Sequence, residues 1–447
     1  MALKALDIFK LLPKTNCKKC GTPTCLAFAM KLAQKQAKLD DCPDVSAEAK
    51  ALLAGAAAPP IRLVTVGTGD RKLEIGNETV MFRHDESFYH QAGIGVIVPD
   101  TLTGQELTER LAQVKALAFV RVGTRIGAGL VAVENASGRA DTFVTAVQAA
   151  RKVGLPLVLM AADAAVVKAA LAAGCAAERP LIYAASEGNW EGMAQLAKEH
   201  NCPLAVTGAD LDAVAALARK VRQAGAEELI LDLGVGSLAR NLEALTAARR
   251  LALKRKADGV GYPSMVCCRD ADPAQNLIAC CSYAAKYAGI VLTPLRAPEQ
   301  ILPMLTIGQN IYADPRKPIQ VEAKVYSVGA VTPQSPLLVT TNFSLTYYTV
   351  ESEVEASRVP AYIGVLDTEG TSVLTAFASD KLTAEKVVTL LRSEAVTKAV
   401  SHQKVIIPGY IAAMSGELLE ASGWEIMVGP REASGIPKYL KTVWQGA

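Results

Sequence analysis

The sequence is poor in aromatic residues and histidine, and it has no long uninterrupted apolar run. Aromatic side chains make up 5% of the 447 residues, too few for the stacking surfaces that hold single-stranded nucleic acid. The net charge is +3, and the basic run RRLALKRK reads as a solvated helix face. Charge or glycine interrupts every long apolar stretch. We therefore expect no nucleic-acid partner and no membrane partner.

The first residues, MALKALDIFKLLPK, lack the apolar core and the cleavage site of a signal peptide, so we expect a cytoplasmic protein. The chain nevertheless carries ten cysteines. In a reducing compartment such a number favours metal ligation over disulfides. Four of them come early, with the spacing Cys17-x2-Cys20-x4-Cys25-x16-Cys42.

The spacing of these four cysteines favours an iron-sulfur cubane. Three close ligands and one distant ligand differ from the two matched knuckles of a zinc ribbon, although a structural zinc site stays the alternative. Thr22 and Pro23 predict a helix N-cap followed by proline at the first helical position, which puts Cys25 in the first turn. The chain must then reverse near Leu39 and Asp40 for Cys42 to reach the others.

A long middle region alternates short β-branched runs with amphipathic helical stretches. After a predicted β-hairpin over residues 61–83, eight such runs follow between about Gly93 and Leu305. Eight β/α units of this size predict a TIM barrel. The eight predicted strands are GIGVIVPDT, LAFVRVGT, LPLVLMAAD, RPLIYAASEGN, CPLAVTGAD, EELILDLGVGS, YPSMVCC and GIVLTP.

A second α/β series follows Pro318, with predicted strands PLLVTT, AYIGVLDTEG, KVIIPGY and EIMVGP. This pattern predicts a small, mostly parallel sheet of the doubly wound type. The predicted domains are therefore a cysteine domain with its linker over 1–58, a hairpin and barrel over 59–318, and an α/β domain over 319–447. We expect residues 47–60 to form a short helix that runs into a linker, and we expect AGAAAPP and VGAVTPQSP to be mobile linkers.

Other polar and sulfur-containing residues carry no assignable chemistry. No nucleophile, base and orienting group can be assembled from the acids and amides that end the predicted barrel strands, and aspartate there is also an ordinary helix cap. Those residues are Asp163, Glu187, Asn189, Asp210 and Asp232. We assign no catalytic residue, and we read His84 and His90 as a polar approach to the barrel. The six later cysteines, which we expect to be small buried apolar side chains, are Cys175, Cys202, Cys267, Cys268, Cys280 and Cys281.

Two small-residue loops in the last region, DTEGTSVLTA and MVGPREASGIP, each follow a predicted strand. They lie at the carboxyl edge of the sheet, where open α/β sheets bind ligands, and VTTNFSLT belongs to the same edge. The backbone amides of Gly370, Thr371, Ser372 and Val373 could approach a large, polar-edged cofactor, because small side chains do not hold it off. A turn-rich rim without a ligand is the alternative.

The run LPKTNCKKCGTPTCLAFAMKLAQ, the later GNETVMFRHDESFYH and the order of the three regions resemble the large (gamma) subunit of the corrinoid iron-sulfur protein. The resemblance covers essentially the whole chain. It implies a methyl carrier of the reductive acetyl-CoA (Wood-Ljungdahl) pathway, rather than an independent catalyst. In that family, a cobalt corrinoid takes a methyl group from methyltetrahydrofolate on a separate methyltransferase, and passes it to acetyl-CoA synthase.

The resemblance also implies cofactors, site residues and partners. A [4Fe-4S] cluster would be held by Cys17, Cys20, Cys25 and Cys42, and would restore oxidised cobalt by one-electron transfer. The partners would be a smaller subunit, the methyltransferase, the synthase and a low-potential electron donor such as ferredoxin, with Lys14, Lys18 and Lys19 as candidate docking side chains. The expected corrinoid contacts are Thr340, Thr346, Gly370, Thr371, Ser372, Val373 and Ala433.

Cobalt ligation is the last expectation. The final region lacks an Asp-x-His-x-x-Gly motif, and its single histidine, His402, precedes a predicted strand. The resemblance therefore implies a corrinoid that is base-off and has no protein ligand. Two other functions stay open: a barrel methyltransferase that acts on a pterin directly, and a plain iron-sulfur electron carrier.

Overall fold

The computed structural model describes residues 5–33, 37, 39–46, 49, 59–234, 236–313 and 318–444. It consists of two compact units, the first comprising Met1–Met81, Ala92–Ala112 and Gly129–Leu295, and the second Phe82–Gln91, Gln113–Ala128 and Arg296–Ala447. The predicted helix over 47–60 and most of the predicted linker AGAAAPP lie outside the described residues. The domain bounds 1–58, 59–318 and 319–447 stay predictions.

The cysteine segment contains two short helices, α1 (Ala5–Leu11) and α2 (Cys25–Ala33). They share a small core that includes Ile8, Leu12 and Phe28. The helix α2 begins at Cys25, as expected for a first-turn cysteine, but its cap is Thr24, whose Oγ1 accepts the Ala27 N–H at 3.1 Å. The predicted cap was wrong because the Thr22 side chain is buried against the Cys20 sulfur. A 3-10 turn over Leu39–Asp41 provides the predicted reversal.

The predicted hairpin is confirmed by the antiparallel pair β1 (Val64–Thr68) and β2 (Arg71–Ile75). Its inward side chains Val64, Val66 and Ile75 are buried in the barrel core. The Gly67 N–H donates to the carbonyl of Arg179, and the Thr65 N–H donates to Glu228; both partners precede barrel strands. The hairpin therefore closes the amino-terminal end of the barrel.

The middle region contains a closed, parallel, eight-stranded barrel in the order β3-β6-β7-β8-β9-β10-β11-β12, which confirms the predicted TIM barrel. Its core consists of apolar side chains that alternate along the strands. The strands of this region are β3 (Gly93–Pro99), β4 (Ala118–Arg121), β5 (Thr124–Gly127), β6 (Leu130–Glu134), β7 (Leu157–Met160), β8 (Leu181–Ala185), β9 (Leu204–Thr207), β10 (Leu229–Asp232), β11 (Ser264–Cys267) and β12 (Ala288–Thr293).

The helices of this region follow the barrel strands in a regular alternation, and they keep apolar faces buried. Aspartate or serine side chains cap several of them, as short βα loops favour. They are α3 (Gly104–Ala116), α4 (Ala140–Ala150), α5 (Ala164–Ala170), α6 (Trp190–His200), α7 (Leu211–Gln223), α8 (Leu238–Arg250), α9 (Pro273–Ala285) and α10 (Pro298–Tyr312).

One predicted barrel strand was wrong. LAFVRVGT forms β4, which pairs with β5 in an antiparallel hairpin outside the barrel, and the second barrel strand is the run LVAVE of β6. Burial explains the difference, because Val120 in β4 is 78% exposed whereas Leu130 through Val133 are fully buried. The hairpin is instead held to α10, since Arg121 donates to the side-chain oxygens of Gln309 at 2.6 Å and Asn310 at 3.2 Å.

The last region is a five-stranded sheet in the order β13-β15-β14-β16-β17, mostly parallel as predicted, with β13 antiparallel at the edge. Its strands are β13 (Val325–Val328), β14 (Leu337–Thr341), β15 (Ala361–Leu366), β16 (Lys404–Ile407) and β17 (Glu425–Val428). The helices are α11 (Ser344–Ser357), α12 (Val373–Ala378), α13 (Ala384–Leu391), α14 (Glu394–Ala399), α15 (Ser415–Ser422) and α16 (Ile436–Thr442). The predicted linker VGAVTPQSP is instead a turn between two strands of this one sheet.

Each face of this sheet has its own apolar core. The chain order reverses at β14, which pairs with β15 on one side and β16 on the other. Such a reversal opens a crevice at the carboxyl ends of the two central strands, where doubly wound sheets bind ligands. None of the helices within the described residues is both long and apolar enough to cross a membrane.

Candidate functional site

The four early cysteines approach one another in the first candidate site. Cys25 and Cys42 are 7% and 4% exposed, and Cys20 packs against the same small core. Cys17 is exposed, and its thiol donates to an Asp44 carboxylate oxygen at 3.5 Å, two residues beyond Cys42. The turn at Leu39–Asp41 thus returns the chain to the cysteine loop. The structure brings together the side chains that the spacing singled out.

The backbone of the cysteine loop is unusual. Lys14, Asn16, Lys18 and Gly21 all have positive φ angles, between 47° and 71°, so left-handed residues recur around Cys17 and Cys20. Turns that mix left- and right-handed residues direct backbone N–H groups into a concavity, an arrangement found at many iron-sulfur sites. The Asn16 side chain also accepts the Cys25 N–H at 2.8 Å and so ties this loop to the start of α2.

The electrostatics of the segment reflect the crowding of its thiols. Burial raises the pKa of the Cys42 thiol, and the nearby Cys20, Cys17 and Cys25 raise it further. A bound metal would instead lower the pKa of this thiol, since a coordinating thiol is deprotonated. Lys19 lies 3.0 Å from the Asp44 carboxylate and lowers its pKa, so one of the three candidate docking lysines is already paired.

The donor set fits an iron-sulfur cluster on chemical grounds. The four thiols come from one short segment, two of them are buried, and the loop around Cys17 and Cys20 is rich in left-handed residues. Among the described residues, no three histidine, cysteine or acidic side chains are arranged to hold a single metal ion. The thiolates of a cubane bind four separate iron atoms, and they stand farther apart than the ligands of one ion. The fit therefore rests on the residue types, their burial and the loop backbone.

The second candidate site is a cavity of about 300 Å³ at the carboxyl edge of the C-terminal sheet. It opens at the reversal between β14 and β16, and its walls come from both strands and from α11, α12 and α16. Most of its lining is apolar, which suits an organic ligand with a few fixed polar contacts. The lining residues are Leu338, Val339, Thr340, Leu345, Thr346, Thr349, Val350, Ser372, Val373, Leu374, Ile406, Ile407, Pro408, Tyr410, Gly429, Pro430, Arg431, Glu432, Ala433, Ile436, Tyr439 and Leu440.

Five of the seven predicted corrinoid contacts line this cavity: Thr340, Thr346, Ser372, Val373 and Ala433. The other two do not. The Gly370 N–H donates to the Asn342 side chain at 3.0 Å, and both the Thr371 N–H and its hydroxyl donate to the carbonyl of Thr368. In the structure the loop uses both amides for its own turn, and the approach of a ligand to them stays a prediction.

Asn342 organises that loop and was not singled out from the sequence. Its Oδ1 accepts N–H groups from Thr368 and Gly370, while its Nδ2 donates to Asp367 at 3.0 Å. Gly370 has φ +70°, and a Cβ there would lie 2.7 Å from Gln320, so glycine is required at that point. The loop that carries Ser372 and Val373 to the cavity is thus fixed by one buried amide.

Thr340 supplies a buried polar group inside the cavity. It is 1% exposed, and its hydroxyl has no hydrogen-bond partner within the described part of the chain. A buried hydroxyl without a partner costs about 1–3 kcal/mol, so such a group points to a ligand or an ordered water. Thr341 has a similarly unpartnered buried hydroxyl, but it does not line the cavity. Thr340 is therefore the cavity residue best placed to meet a ligand atom.

The histidine of this region is used elsewhere. His402 is 7% exposed, its Nε2 lies 2.9 Å from the carbonyl oxygen of Ser335, and its Nδ1 accepts the Lys404 N–H at 3.2 Å. It precedes β16, at the amino end of the strand, whereas the cavity lies beyond the carboxyl end. Backbone groups thus occupy both ring nitrogens.

The barrel mouth carries a polar network that the sequence revealed only in part. Tyr183 donates to the buried Asp232 at 2.7 Å, and Arg269 lies 2.7 Å from Glu134. Burial raises the pKa of Asp232, because the low-dielectric interior disfavours its charge. Tyr183 and Asp232 lie on β8 and β10, whereas Arg269 follows β11 and Glu134 ends β6, so each pair links parts of the barrel that are not neighbours and bridges its mouth. Only Asp232 was singled out; its partners carry no local signal.

The other candidates in the barrel are structural. Asp163 and Asp210 cap α5 and α7 through bonds of 2.8 and 2.9 Å to backbone N–H groups. Glu187 pairs with Lys220 at the surface, and Asn189 holds its own turn. Of the six later cysteines, Cys175, Cys202, Cys268 and Cys280 are buried as expected, whereas Cys267 and Cys281 are half-buried. Burial raises the pKa of Cys202 to about 12, so it is a poor nucleophile.

The regions matched in sequence comparisons include both candidate sites. A family model described as CO dehydrogenase/acetyl-CoA synthase delta subunit matches residues 63–440, and a model for a proposed Fe-S cluster segment matches residues 12–43. The corrinoid/iron-sulfur protein large subunit of Moorella thermoacetica is 44% identical over 99% of both chains. The acetyl-CoA decarbonylase/synthase complex subunit gamma of Methanothermobacter thermautotrophicus is 36% identical over 98% of this chain and 99% of that relative.

A solved structure of dihydropteroate synthase from Thermus thermophilus is also similar, at 17% identity over 56% of this chain and 100% of that one. Its TM-score is 0.40, too low to support a conclusion.

The fold and the two candidate sites define a class: an α/β protein with a four-cysteine segment, a TIM barrel and a doubly wound sheet that has a cavity at its carboxyl edge. Within that class, the chain belongs to the corrinoid/iron-sulfur protein large subunit family, whose archaeal relatives are gamma subunits of acetyl-CoA decarbonylase/synthase complexes.

Proposed function

We propose that this chain is a corrinoid-dependent methyl carrier of the reductive acetyl-CoA pathway. It would bind a cobalt corrinoid at the C-terminal cavity and a [4Fe-4S] cluster at the four early cysteines. The observation that carries the proposal is the buried, unpartnered hydroxyl of Thr340 inside an apolar cavity at the reversal of a doubly wound sheet. The names of the relatives add support, since the Moorella protein is called a corrinoid/iron-sulfur protein.

When bound, the corrinoid would supply a cobalt centre that accepts and releases a methyl group, and the cluster would supply single electrons that reactivate oxidised cobalt. This chain's own residues would hold the two groups. Cys17, Cys20, Cys25 and Cys42 would be the cluster ligands, and the left-handed turns around Asn16 would aim backbone N–H groups at it. Such N–H groups would stabilise a negatively charged cluster.

The C-terminal domain would hold the corrinoid across the mouth of its cavity. A cavity of about 300 Å³ is too small for a whole corrin ring, so the ring would lie outside and an appendage would enter. The rim residues Leu345, Leu374 and Tyr410 are 54%, 55% and 42% exposed, and they would cover an apolar face of the ring. Thr340 would bond the appendage, while Thr346 and Ser372 would meet polar edges.

The domain would leave cobalt without a histidine ligand. His402 is engaged by two backbone groups at the opposite end of β16, and no histidine lines the cavity within the described residues. A strongly bound imidazole would oppose reduction of the cobalt, so a site without one suits repeated reduction.

The remaining parts of the proposal concern partners. A carrier must meet a methyl donor system and an acceptor, so we propose a methyltetrahydrofolate methyltransferase, acetyl-CoA synthase and a low-potential donor such as ferredoxin. A smaller subunit would complete a heterodimer, in keeping with the words large subunit in the name of the Moorella relative. We place the protein in the cytoplasm, where its thiols would stay reduced.

Metal and corrinoid analysis of the anaerobically purified full chain tests the proposal. We expect about four iron atoms per chain, the number in one cubane cluster, and binding of added corrinoid with a change in its visible spectrum. Iron without corrinoid binding would favour the plain electron carrier. Tight methylpterin binding in place of corrinoid would favour the barrel methyltransferase, although the polar side chains at the barrel mouth already bond to one another.

Two threonine variants locate the corrinoid. Thr340→Val removes the unpartnered hydroxyl that lines the cavity, and Thr341→Val removes its neighbour, which does not line it. We expect Thr340→Val to weaken corrinoid binding about 5- to 10-fold, the value of a single net hydrogen bond, and Thr341→Val to leave it unchanged. Equal effects of the two variants on the dissociation constant would show that the corrinoid does not bind at this cavity.

A further inference from the structure

Two loops at the rim of the C-terminal cavity are packed backbone against backbone. The Gly409 N–H donates to the carbonyl of Pro430 at 3.1 Å. A Cβ on Gly409 would lie 2.6 Å from the Gly429 oxygen and 2.8 Å from the Arg431 nitrogen, so this close approach requires glycine. The contact fixes the loop after β16 against the loop after β17. It therefore holds Tyr410 and Arg431 on one rim.

The two charged side chains on this rim do not pair with each other. Among the described residues that line the cavity, only Arg431 and Glu432 carry charge. Glu432 is engaged by Tyr410, whose hydroxyl donates to it at 2.6 Å. Arg431 is exposed and forms no ion pair with any residue in the described part of the chain. Arg431, a cation without an ion-pair partner in the described part of the chain, thus lines a mostly apolar cavity.

We infer that Arg431 pairs with the phosphate of the corrinoid's nucleotide tail, and that this chain therefore selects phosphate-bearing corrinoids over cobinamide. The inference rests on the proposed function, because it needs a corrinoid at this cavity. A guanidinium presents a planar fork of donors that matches two phosphate oxygens, which makes it a strong partner for a phosphodiester. The cavity behind it would take the planar base of the tail, with Thr340 as its polar contact.

The geometry also explains why the cation is left open. Had Glu432 paired with Arg431, a phosphate would have to displace a carboxylate, and binding would lose that energy. Instead the Glu432 carboxylate accepts a hydrogen bond from the neutral hydroxyl of Tyr410. The backbone contact at Gly409 fixes the two loops that carry these residues before the ligand arrives, which lowers the ordering cost of binding.

The test compares three corrinoids on the full chain produced without corrinoid: cobinamide, cobinamide phosphate and cobalamin. Affinities come from titrations followed by the visible spectrum. We expect the wild type to bind both phosphate-bearing forms about 10- to 100-fold more tightly than cobinamide, the range of a charge-assisted hydrogen bond. Arg431→Gln should lose this preference and keep its affinity for cobinamide, whereas Arg431→Lys should retain part of the preference.

Lys441→Gln is the matched control, since Lys441 is an exposed cation on α16 that does not line the cavity. It should keep the full preference. The inference is overturned, with the proposed function intact, if the wild type binds all three corrinoids equally or if Arg431→Gln leaves the ratio unchanged. It is also overturned if only the base, and not the phosphate, improves binding. If the wild type binds none of the three, the proposed function fails, and this inference fails with it.

Discussion

The cysteine segment and the C-terminal cavity are both candidate cofactor sites, and they are built in opposite ways. The first takes its four thiols from 26 consecutive residues and positions them with a loop, one short helix and a turn. The second takes side chains from two strands, three helices and the loops between them, which are spread over more than 100 residues of sequence. Local spacing defines the first site, whereas sheet topology defines the second.

The two sites also differ in what holds the ligand. Cysteine thiolates form strong metal bonds, so the small core of the segment needs only to bring them close. The cavity offers apolar walls, one unpartnered hydroxyl and one open guanidinium, each of which contributes modestly. Removal of one thiol should therefore be far more damaging than removal of any single cavity contact.

The largest effect is expected from Cys20→Ala, which removes one predicted cluster ligand. Iron content should fall and reductive reactivation of oxidised cobalt should be abolished, while methyl transfer from already reduced cobalt stays nearly intact. Iron analysis and the two transfer assays measure this. Cys281→Ala, at a half-buried cysteine outside the segment, should change neither activity. Equal loss of both activities in Cys20→Ala would contradict the separate roles of the two sites.

A smaller effect is expected from Gly409→Ala in the rim of the cavity. The new Cβ would lie 2.6 Å from the Gly429 oxygen, so the two loops must separate, at a cost of about 1–3 kcal/mol in the free energy of unfolding. Corrinoid affinity should fall while iron content stays unchanged. Gly416→Ala is the control, because a Cβ there meets nothing within 4 Å. Loss of iron in Gly409→Ala would contradict the independence of the sites.

Asn16→Ala tests whether the loop, and not the thiols alone, supports the cluster. The change removes the acceptor that holds the Cys25 N–H at 2.8 Å and puts alanine at a positive φ angle, at a cost of about 1 kcal/mol or more. Iron should be lost more quickly to a chelator. Asn16→Asp, which keeps the acceptor, should behave like the wild type. Identical release rates for all three proteins would show that the loop contributes nothing.

The smallest effect is expected from Asp232→Asn in the barrel, outside both sites. Burial raises the pKa of this carboxyl in the folded state, so its contribution to stability is full below the pKa of the unfolded state and is lost as pH rises through the folded pKa. Compared with the wild type at the same pH, the variant should therefore be more stable near pH 7 than it is at pH 4, as measured by the free energy of unfolding in denaturant. Iron and corrinoid content should not change. A variant with the same pH dependence as the wild type would contradict the raised pKa.

Much of the fold could be read from patterns of period and spacing. Seven of the predicted barrel strands and all four predicted parallel strands of the last sheet were found, because buried β-branched runs carry a local signal. LAFVRVGT and LVAVE show the limit. Both are short apolar runs, and only the pairing partners decide that one joins the barrel and the other forms a separate hairpin.

The candidate sites, like the fold, could be predicted only in part from the sequence. The cysteine motif predicted four neighbouring thiols, and the structure brings them together, since their spacing is itself the signal. The small-residue loops predicted the edge of the sheet at which the cavity lies. They did not reveal that Asn342 accepts the Gly370 N–H, or that Arg431 on the rim has no ion-pair partner in the described part of the chain. Hydrogen bonds between residues distant in sequence leave no local pattern.

The sequence by itself determined the four-cysteine segment, the order of the three regions and the absence of an Asp-x-His-x-x-Gly motif from the last region, because each depends on residue identity and short-range spacing. Only the tertiary structure decided which strand completes the barrel, which loop amides are already used and which polar groups face the cavity. Those outcomes depend on which buried groups find partners, and partners are chosen by the packing of the whole chain.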